Sequence, residues 1–489
     1  MKIQTCAHKA ARALCASALA AGLMIPSGVA LAKTAGANDV GDASFTLTGI
    51  AENDVVHAYQ VFDTDIDATN NLTYEMKVSG LPAAYDTVEE IYAVQGDARA
   101  MADAIAAQVI ATSETKTQAT AGADGKAKLS LDSGYWLVTV TSNSGDTKVY
   151  QTLLVDATPA VANDAYVTRT ISEAKAKVQP VTSPTKKIVD PDGNAGQSTD
   201  RYSVGDTAKF TISGTVPSYP ADATHAVYSI TDVPDAGLAV DTASFVVKAG
   251  STTLSKDTDY TLTANANGTY TVAFSKAYVL AHPGQAVTID YNAQVTKIDL
   301  ATGKVGNKVY GTFTPNPYED KNVDTTPTDP WDQTYGFEFK KVGAPDNAAL
   351  SGAEFTVTDK ATGKPVTYID ATGTLHTDGK VTSDSNGWVY VNGLEKGIYT
   401  VTETTVPSGF QKIDAFDVEL NGDTAKADAS STANITEENF SNQGQKVDPK
   451  VGELPTTGGA GTIALTAGGI LLVAGGSAAV YRSRRKSTN

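Results

Sequence analysis

Cysteine is nearly missing from this 489-residue chain, and its two examples, Cys6 and Cys15, both lie within the first 32 residues. Beyond that point there is no thiol, which excludes disulfides, cysteine metal sites and thiol nucleophiles. Histidine is also scarce: past the same point His57, His225, His282 and His376 stand far apart, without the spacing of metal ligands. Basic residues are outnumbered, with 38 Lys and Arg against 55 Asp and Glu. An acidic balance with no basic stripe implies solubility and excludes a nucleic-acid partner. No phosphate-cradling glycine loop and no Ser/His/Asp set is legible, so neither a turnover enzyme nor a cofactor or metal is expected. Long apolar runs occur only at the two ends.

The N-terminal run has Lys2, Lys9 and Arg12, an apolar stretch from Ala13 to Ile25, and Ala30-Leu31-Ala32 as a small-x-small site. That is the layout of a secretory signal peptide over residues 1–32, with an apolar core too short to span a bilayer. At the other end Gly459 to Tyr481 is apolar and uncharged, followed by Arg482, Arg484, Arg485 and Lys486. Its length predicts a C-terminal transmembrane helix with the basic tail held in the cytoplasm. Just before it stands Leu454-Pro455-Thr456-Thr457-Gly458. The tripartite arrangement resembles the cell-wall sorting signal of Gram-positive bacteria. The resemblance implies that a sortase transpeptidase cleaves between Thr457 and Gly458 and passes the Thr457 carbonyl to an amine. It also implies a secreted product anchored to cell-wall peptidoglycan, from a precursor that spans the membrane by its C-terminal helix.

Between the ends the pattern is all-β. Phe45–Ile50, Leu72–Val78 and Tyr135–Val140 alternate as half-buried strands. Thr87 to Ala111 instead places Met101, Ile105 and Val109 at helical spacing, which predicts a helix packed on the first sheet. A stretch with Lys175, Lys177, Pro180 and Pro184 reads as an extended linker. Beyond it short strands separated by Asp/Asn/Gly turns recur, the pattern of a β-sandwich. The expected organisation is a signal peptide at 1–32 and an N-terminal domain at 33–174. A middle immunoglobulin-like domain follows at 175–332, a C-terminal one at 333–446, and the sorting signal at 447–489. The expected fold class is therefore all-β: tandem immunoglobulin-like sandwiches, the first with an added helix, and a C-terminal transmembrane helix.

Period-two alternation puts Phe337, Phe339 and Lys341 on one face of a strand, and Tyr399, Val401 and Glu403 on one face of another. The aromatic and apolar neighbours mark both faces as core-directed. A lysine and a glutamate pointing into a core are unusual, because isolated buried charges are costly. Desolvation favours neutral lysine, a nucleophile, and a protonated carboxyl, a proton shuttle.

Phe339-Lys-Lys-Val342 followed by Leu350-Ser-Gly-Ala-Glu-Phe355 resembles the opening of collagen-adhesin B-type (Cna B-like) domains. Tyr399-Thr-Val-Thr-Glu-Thr-Thr-Val-Pro-Ser-Gly-Phe410 resembles the E-box of sortase-assembled pilins. The resemblance implies an intramolecular isopeptide bond from Lys341 to Asn439, with Asn442 the alternative, promoted by Glu403. In the middle domain it implies Lys187, with Lys186 competing, bonded to Asn307 and promoted by Asp232. Major pilins carry their polymerising lysine in a Tyr-Pro-Lys motif, which is absent here. Lys177 occupies the corresponding stretch, with Lys175 as second choice.

The function implied is the backbone subunit of a covalent surface pilus supporting adhesion. Its expected partners are sortase, identical and accessory pilins, peptidoglycan, and a host glycan or matrix ligand. The alternative is a monomeric wall-anchored adhesin.

Overall fold

The computed structural model describes residues 40–67, 71–93, 98–113, 116–142, 148–163, 165–422 and 440–451. The predicted signal peptide, Asn439, the segment Leu454–Gly458 and the apolar stretch 459–481 lie outside the described residues. The chain divides into two compact units. One takes the chain up to Thr199 with Ala208–Ala293 and Gly306–Trp331, and the other takes Asp200–Thr207, Gln294–Val305 and the chain from Asp332.

In the first unit β1 (Ala43–Thr48) pairs antiparallel with Lys126–Leu131 and parallel with Ala174–Lys175. A second sheet is built on β2 (Val55–Ile66), flanked by Leu72–Met76, Lys116–Thr120 and β3 (Gly134–Thr141). Helices α1 (Val88–Ala93) and α2 (Ala98–Thr112) follow the predicted helical segment. Met101, Ile105 and Val109 recur every four residues and are buried, so α2 lays one stripe onto Phe62, Tyr74 and Leu137 of the β2 sheet. Tyr318, from a loop far along the chain, joins the same cluster, and its hydroxyl donates to the Asp103 carbonyl at 3.2 Å.

The remainder of this unit is a sandwich of two sheets. One contains β4 (Thr185–Val189), β5 (Thr207–Thr215), β7 (Ala286–Val295) and Leu238–Ala249, with β4 pairing β5 and β5 pairing β7. The other contains β6 (Tyr228–Pro234), β8 (Lys304–Phe313), Tyr270–Phe274 and Tyr260–Ala264. Ala208, Phe210 and Ile212 of β5 are buried while Thr207, Lys209 and Ser213 are exposed, which is the alternation of a strand with one wet face.

The second unit pairs β9 (Tyr335–Gly343) antiparallel with β11 (Trp388–Leu394) and parallel with β13 (Phe440–Asp448). The opposing sheet runs Lys380–Thr382, β10 (Glu354–Asp359), β12 (Gly397–Thr405) and Phe416–Leu420. Phe337 and Phe339 are fully buried, and Phe339 meets Phe355 and Phe416 edge-on with centroids 5.0 and 5.4 Å apart. Gly343 closes β9 where any side chain would collide with Phe410: a Cβ there would lie 2.3 Å from the Phe410 ring.

The all-β, immunoglobulin-like architecture is as expected. The transmembrane helix, and the membrane-spanning precursor that went with it, are corrected. No helix among the described residues is long and apolar enough to cross a membrane, the longest being the fifteen-residue α2. The apolar run that prompted the expectation lies outside those residues, so no membrane span is carried forward.

Candidate functional site

Two clusters of buried charge stand in the sandwiches, one in each unit. In the first, β4 alternates so that Lys186 and Ile188 face inward and Lys187 faces out, with Lys186 opposite Ile212 and Ile188 opposite Phe210. Lys186, not Lys187, therefore enters the core; it is 0 % exposed. Its ammonium contacts Asp232 Oδ1 and lies over the Phe210 ring at 5.0 Å and the Tyr291 ring at 5.3 Å. The aromatic faces offer partial compensation for lost hydration.

Asp232 comes from β6 and Asn307 from β8, neighbouring antiparallel strands in which Pro234 faces Asn307 and Asp232 faces Val309. The acid and the amide are thus diagonal neighbours on one inward face. Tyr291 reaches across from β7, on the lysine's sheet. Its hydroxyl lies 2.9 Å from both Asp232 oxygens and accepts a 2.7 Å hydrogen bond from Asn307 Nδ2. Asn307 Oδ1 is buried with no hydrogen-bond partner among the described residues.

Burial pulls the Lys186 amine down to about 8, against the attraction of Asp232. Burial likewise pushes the Asp232 carboxyl up, with Lys186 and Tyr291 opposing. Both shifts favour the neutral amine and the neutral acid, the forms that amide chemistry requires.

The second cluster is built on β9. Phe337, Phe339 and Lys341 share its inward face, and Lys341 is 0 % exposed. On β12, Tyr399, Val401 and Glu403 are all buried, the face expected from their alternation. Lys341 Nζ lies 3.1 Å from Glu403 Oε1 and in contact with Asp448 Oδ1. Glu403 Oε2 accepts the Ile413 amide at 3.0 Å, which fixes the carboxyl.

Asp448 ends β13, whose parallel register sets Lys341 against Lys446 and Gly343 against Asp448. Burial pushes its carboxyl up to about 6, with Lys341 opposing. The Ala344 amide donates to its backbone carbonyl at 2.9 Å, pinning the strand end beside the lysine. Gly387 permits the approach from the other side, since a Cβ there would lie 2.4 Å from the Lys341 carbonyl oxygen.

Asn442 stands opposite Glu338, and its Oδ1 accepts the Gly444 amide at 2.8 Å, so it is not part of the Lys341 cluster. Asn439 lies outside the described residues. Sequence reasoning missed Asp448 and Tyr291. Lys177 is exposed, and its carbonyl accepts the Gln151 amide at 2.9 Å. Lys175 is exposed as well, its side chain lying beside Gly49. Among the described residues no group of His, Cys, Asp and Glu is arranged to hold a metal ion.

Residues 336–434 match the family model of a prealbumin-like fold domain, and residues 446–489 match that of the LPXTG cell wall anchor motif. The chain is 27% identical over 335 residues to the fimbrial subunit type 2 of Actinomyces naeslundii, covering 60% of each chain. It thus spans about 60% of that relative's length. Among solved structures, the T6 backbone pilin of Streptococcus pyogenes superposes with a TM-score of 0.57 at 18% identity, over 79% of this chain and 81% of that one. The full-length major pilin SpaD of Corynebacterium diphtheriae gives 0.51 at 18% identity, over 84% and 97%. The major pilin SpaA of the same organism, described as pointing to a modular pilus assembly with stabilizing isopeptide bonds, gives 0.50 at 16%, over 84% and 100%. Residues 336–434 thus match a prealbumin-like fold domain, residues 446–489 match an LPXTG cell wall anchor motif, and the fold is similar to that of Gram-positive backbone pilins.

Proposed function

We propose that this chain is the repeating subunit of a covalent surface fibre, joined through Thr457 to Lys177 of the next copy and locked internally by Lys186–Asn307 and Lys341–Asp448 amide bonds. The observation that carries the reading is the pair of fully buried lysines, each against a carboxylate on a strand remote in sequence. A buried ion pair is poor value for stability alone, because desolvation offsets most of its attraction. As reactants the same groups are well placed. The fold replaces a bimolecular encounter by proximity, and burial favours the neutral forms.

In the first unit Lys186 attacks the Asn307 carboxamide with Asp232 as acid–base, and ammonia leaves. In the second, Lys341 attacks the Asp448 carboxyl with Glu403 beside it, and water leaves. Lys186 takes the role expected of Lys187, and Asp448 the role expected of Asn439 or Asn442. Each bond ties one sheet edge to a distant strand, so tension applied at the chain ends meets a covalent link before it can peel the strand away. In a chain without disulfides this supplies mechanical strength that reductants cannot remove.

Sortase, identical subunits and peptidoglycan are the partners this role requires. The exposed position of Lys177, between paired segments of backbone, suits an acceptor amine. Cell-envelope extracts on a denaturing gel should show a ladder of high-mass species that Lys177→Ala collapses to one band. A single wall-linked band in the parent strain would instead mean a monomeric adhesin.

A further inference from the structure

We propose that Tyr291 is a catalytic residue of the first unit's crosslink: its hydroxyl holds the leaving nitrogen of Asn307 and hands it the proton with which ammonia departs. This rests on the reading that Lys186 and Asn307 condense. A phenol carries one proton and can also accept. Because the Tyr291 oxygen accepts from Asn307 Nδ2 at 2.7 Å, its own proton is directed to Asp232, 2.9 Å away. Asp232, Tyr291 and Nδ2 thus form an unbroken hydrogen-bonded file, and Lys186 Nζ contacts the far end of it.

The same bond sets which way the amide faces. With Nδ2 held by Tyr291, Oδ1 is left without a hydrogen-bond partner among the described residues. The ring has little freedom, stacking on Phe245 at 4.5 Å and on Phe210 at 5.4 Å. Burial and the neighbouring Asp232 hold the phenol neutral, so it serves as a relay and not as a standing base.

The steps balance. Lys186 ammonium first yields a proton to Asp232. Its free amine then adds to Asn307 Cγ, and the carbonyl π electrons move to Oδ1. With Asp232 now protonated and Nδ2, no longer conjugated, carrying a free lone pair, the hydroxyl turns and the file reverses: Asp232 gives its proton to the Tyr291 oxygen as Tyr291 gives its own to Nδ2. The C–N bond breaks, Oδ1 re-forms the carbonyl, and ammonia leaves. Asp232 takes the surplus proton from the new amide nitrogen, and Tyr291 ends as it began.

The test is a pulse of synthesis of the full chain followed by time-resolved intact and peptide mass analysis. Tyr291→Phe keeps the ring packing and removes only the hydroxyl. Ammonia loss between the Lys186 and Asn307 peptides should slow at least about tenfold, since positioned proton transfer contributes roughly 10²–10⁴-fold. Water loss between the Lys341 and Asp448 peptides, in the other unit, should keep the parent's rate and so serves as an internal control. Ammonia loss at the parent's rate in Tyr291→Phe overturns the proposal. Absence of that loss in the parent itself overturns the underlying crosslink instead.

Should Tyr291→Phe not fold, 3,5-difluorotyrosine inserted at 291 keeps the hydroxyl and the packing while making the phenol more acidic. An altered rate and pH profile is then expected, and an unchanged rate and profile overturns the relay.

Discussion

Asp448→Ala removes one partner of the proposed Lys341–Asp448 bond and leaves Glu403, 3.1 Å from the ammonium, to keep the lysine from standing alone. The principal loss is therefore the covalent closure itself. Lys341 and Asp448 are 107 residues apart, and closing a loop of that size restricts the unfolded chain by about 4.7 kcal/mol on the chain-entropy scale used for disulfides. Each kcal/mol moves the melting temperature of a domain of roughly this size by about 4–8 °C. The second unit should therefore melt roughly 20–40 °C lower, while the first unit keeps its transition. Scanning calorimetry reads both transitions, and intact mass reads the bond. In Asp448→Ala the deficit of one water, about 18 Da, should vanish, as expected when the amine has no carboxyl to condense with. A melting temperature within about 5 °C of the parent, with an unchanged mass deficit, would refute the assignment of Asp448.

Further outcomes follow from the same geometry. Asp448→Asn should still crosslink but release ammonia in place of water, so the branched peptide keeps the parent's mass while its deficit from the unlinked peptides becomes about 17 in place of about 18 Da; loss of the bond would show that the acid itself is required. Lys186→Ala should abolish the first unit's ammonia loss and Lys187→Ala should leave it intact, because only Lys186 faces Asp232. Crosslinking in that unit should slow as pH rises through about 8, where the proton that Lys186 shares with Asp232 is lost and the relay has none to pass. A rate that climbs over that range would contradict the use of that proton.

Asp332, in the second unit, has its carboxyl pushed up to about 8 by burial, with Asp200, Asp206 and Glu395 adding repulsion and the Tyr202 amide opposing. The folded form thus holds a proton that the unfolded chain releases above 3.8. Stability is lost as pH climbs from 3.8 towards 8. Asp332→Asn should accordingly raise the melting temperature near pH 7 and do little near pH 4; equal effects at both pH values would contradict this.

The sandwich faces were legible where local alternation is strict. Phe337-x-Phe339-x-Lys341 and Tyr399-x-Val401-x-Glu403 point inward as their period requires, and α2 buries the Met101, Ile105 and Val109 stripe that its spacing marks. The choice between Lys186 and Lys187 was not legible, because Ile188 and Val189 offer an apolar neighbour to either face. Pairing of Ile188 with Phe210 decides it.

Asp448 was hidden for a different reason. The run from Phe440 to Asp448 carries no clear alternation, and its place comes from parallel pairing with a strand about a hundred residues earlier, a register no local pattern encodes. Tyr291 sits in the alternating series Val287, Ile289, Tyr291, Ala293, Val295 and reads there as one more core residue. Only its tertiary neighbours give the hydroxyl a role. The predicted membrane span rested on apolar length and the basic tail that follows it, and no helix among the described residues is long and apolar enough to cross a membrane.

The most direct test of the covalent account is tandem mass spectrometry of protease-digested polymer taken from the cell surface. Three branched peptides are predicted, joining Thr457 to Lys177, Lys186 to Asn307 and Lys341 to Asp448. Recovery of Lys177, Lys186 and Lys341 only in linear, unmodified peptides would contradict it.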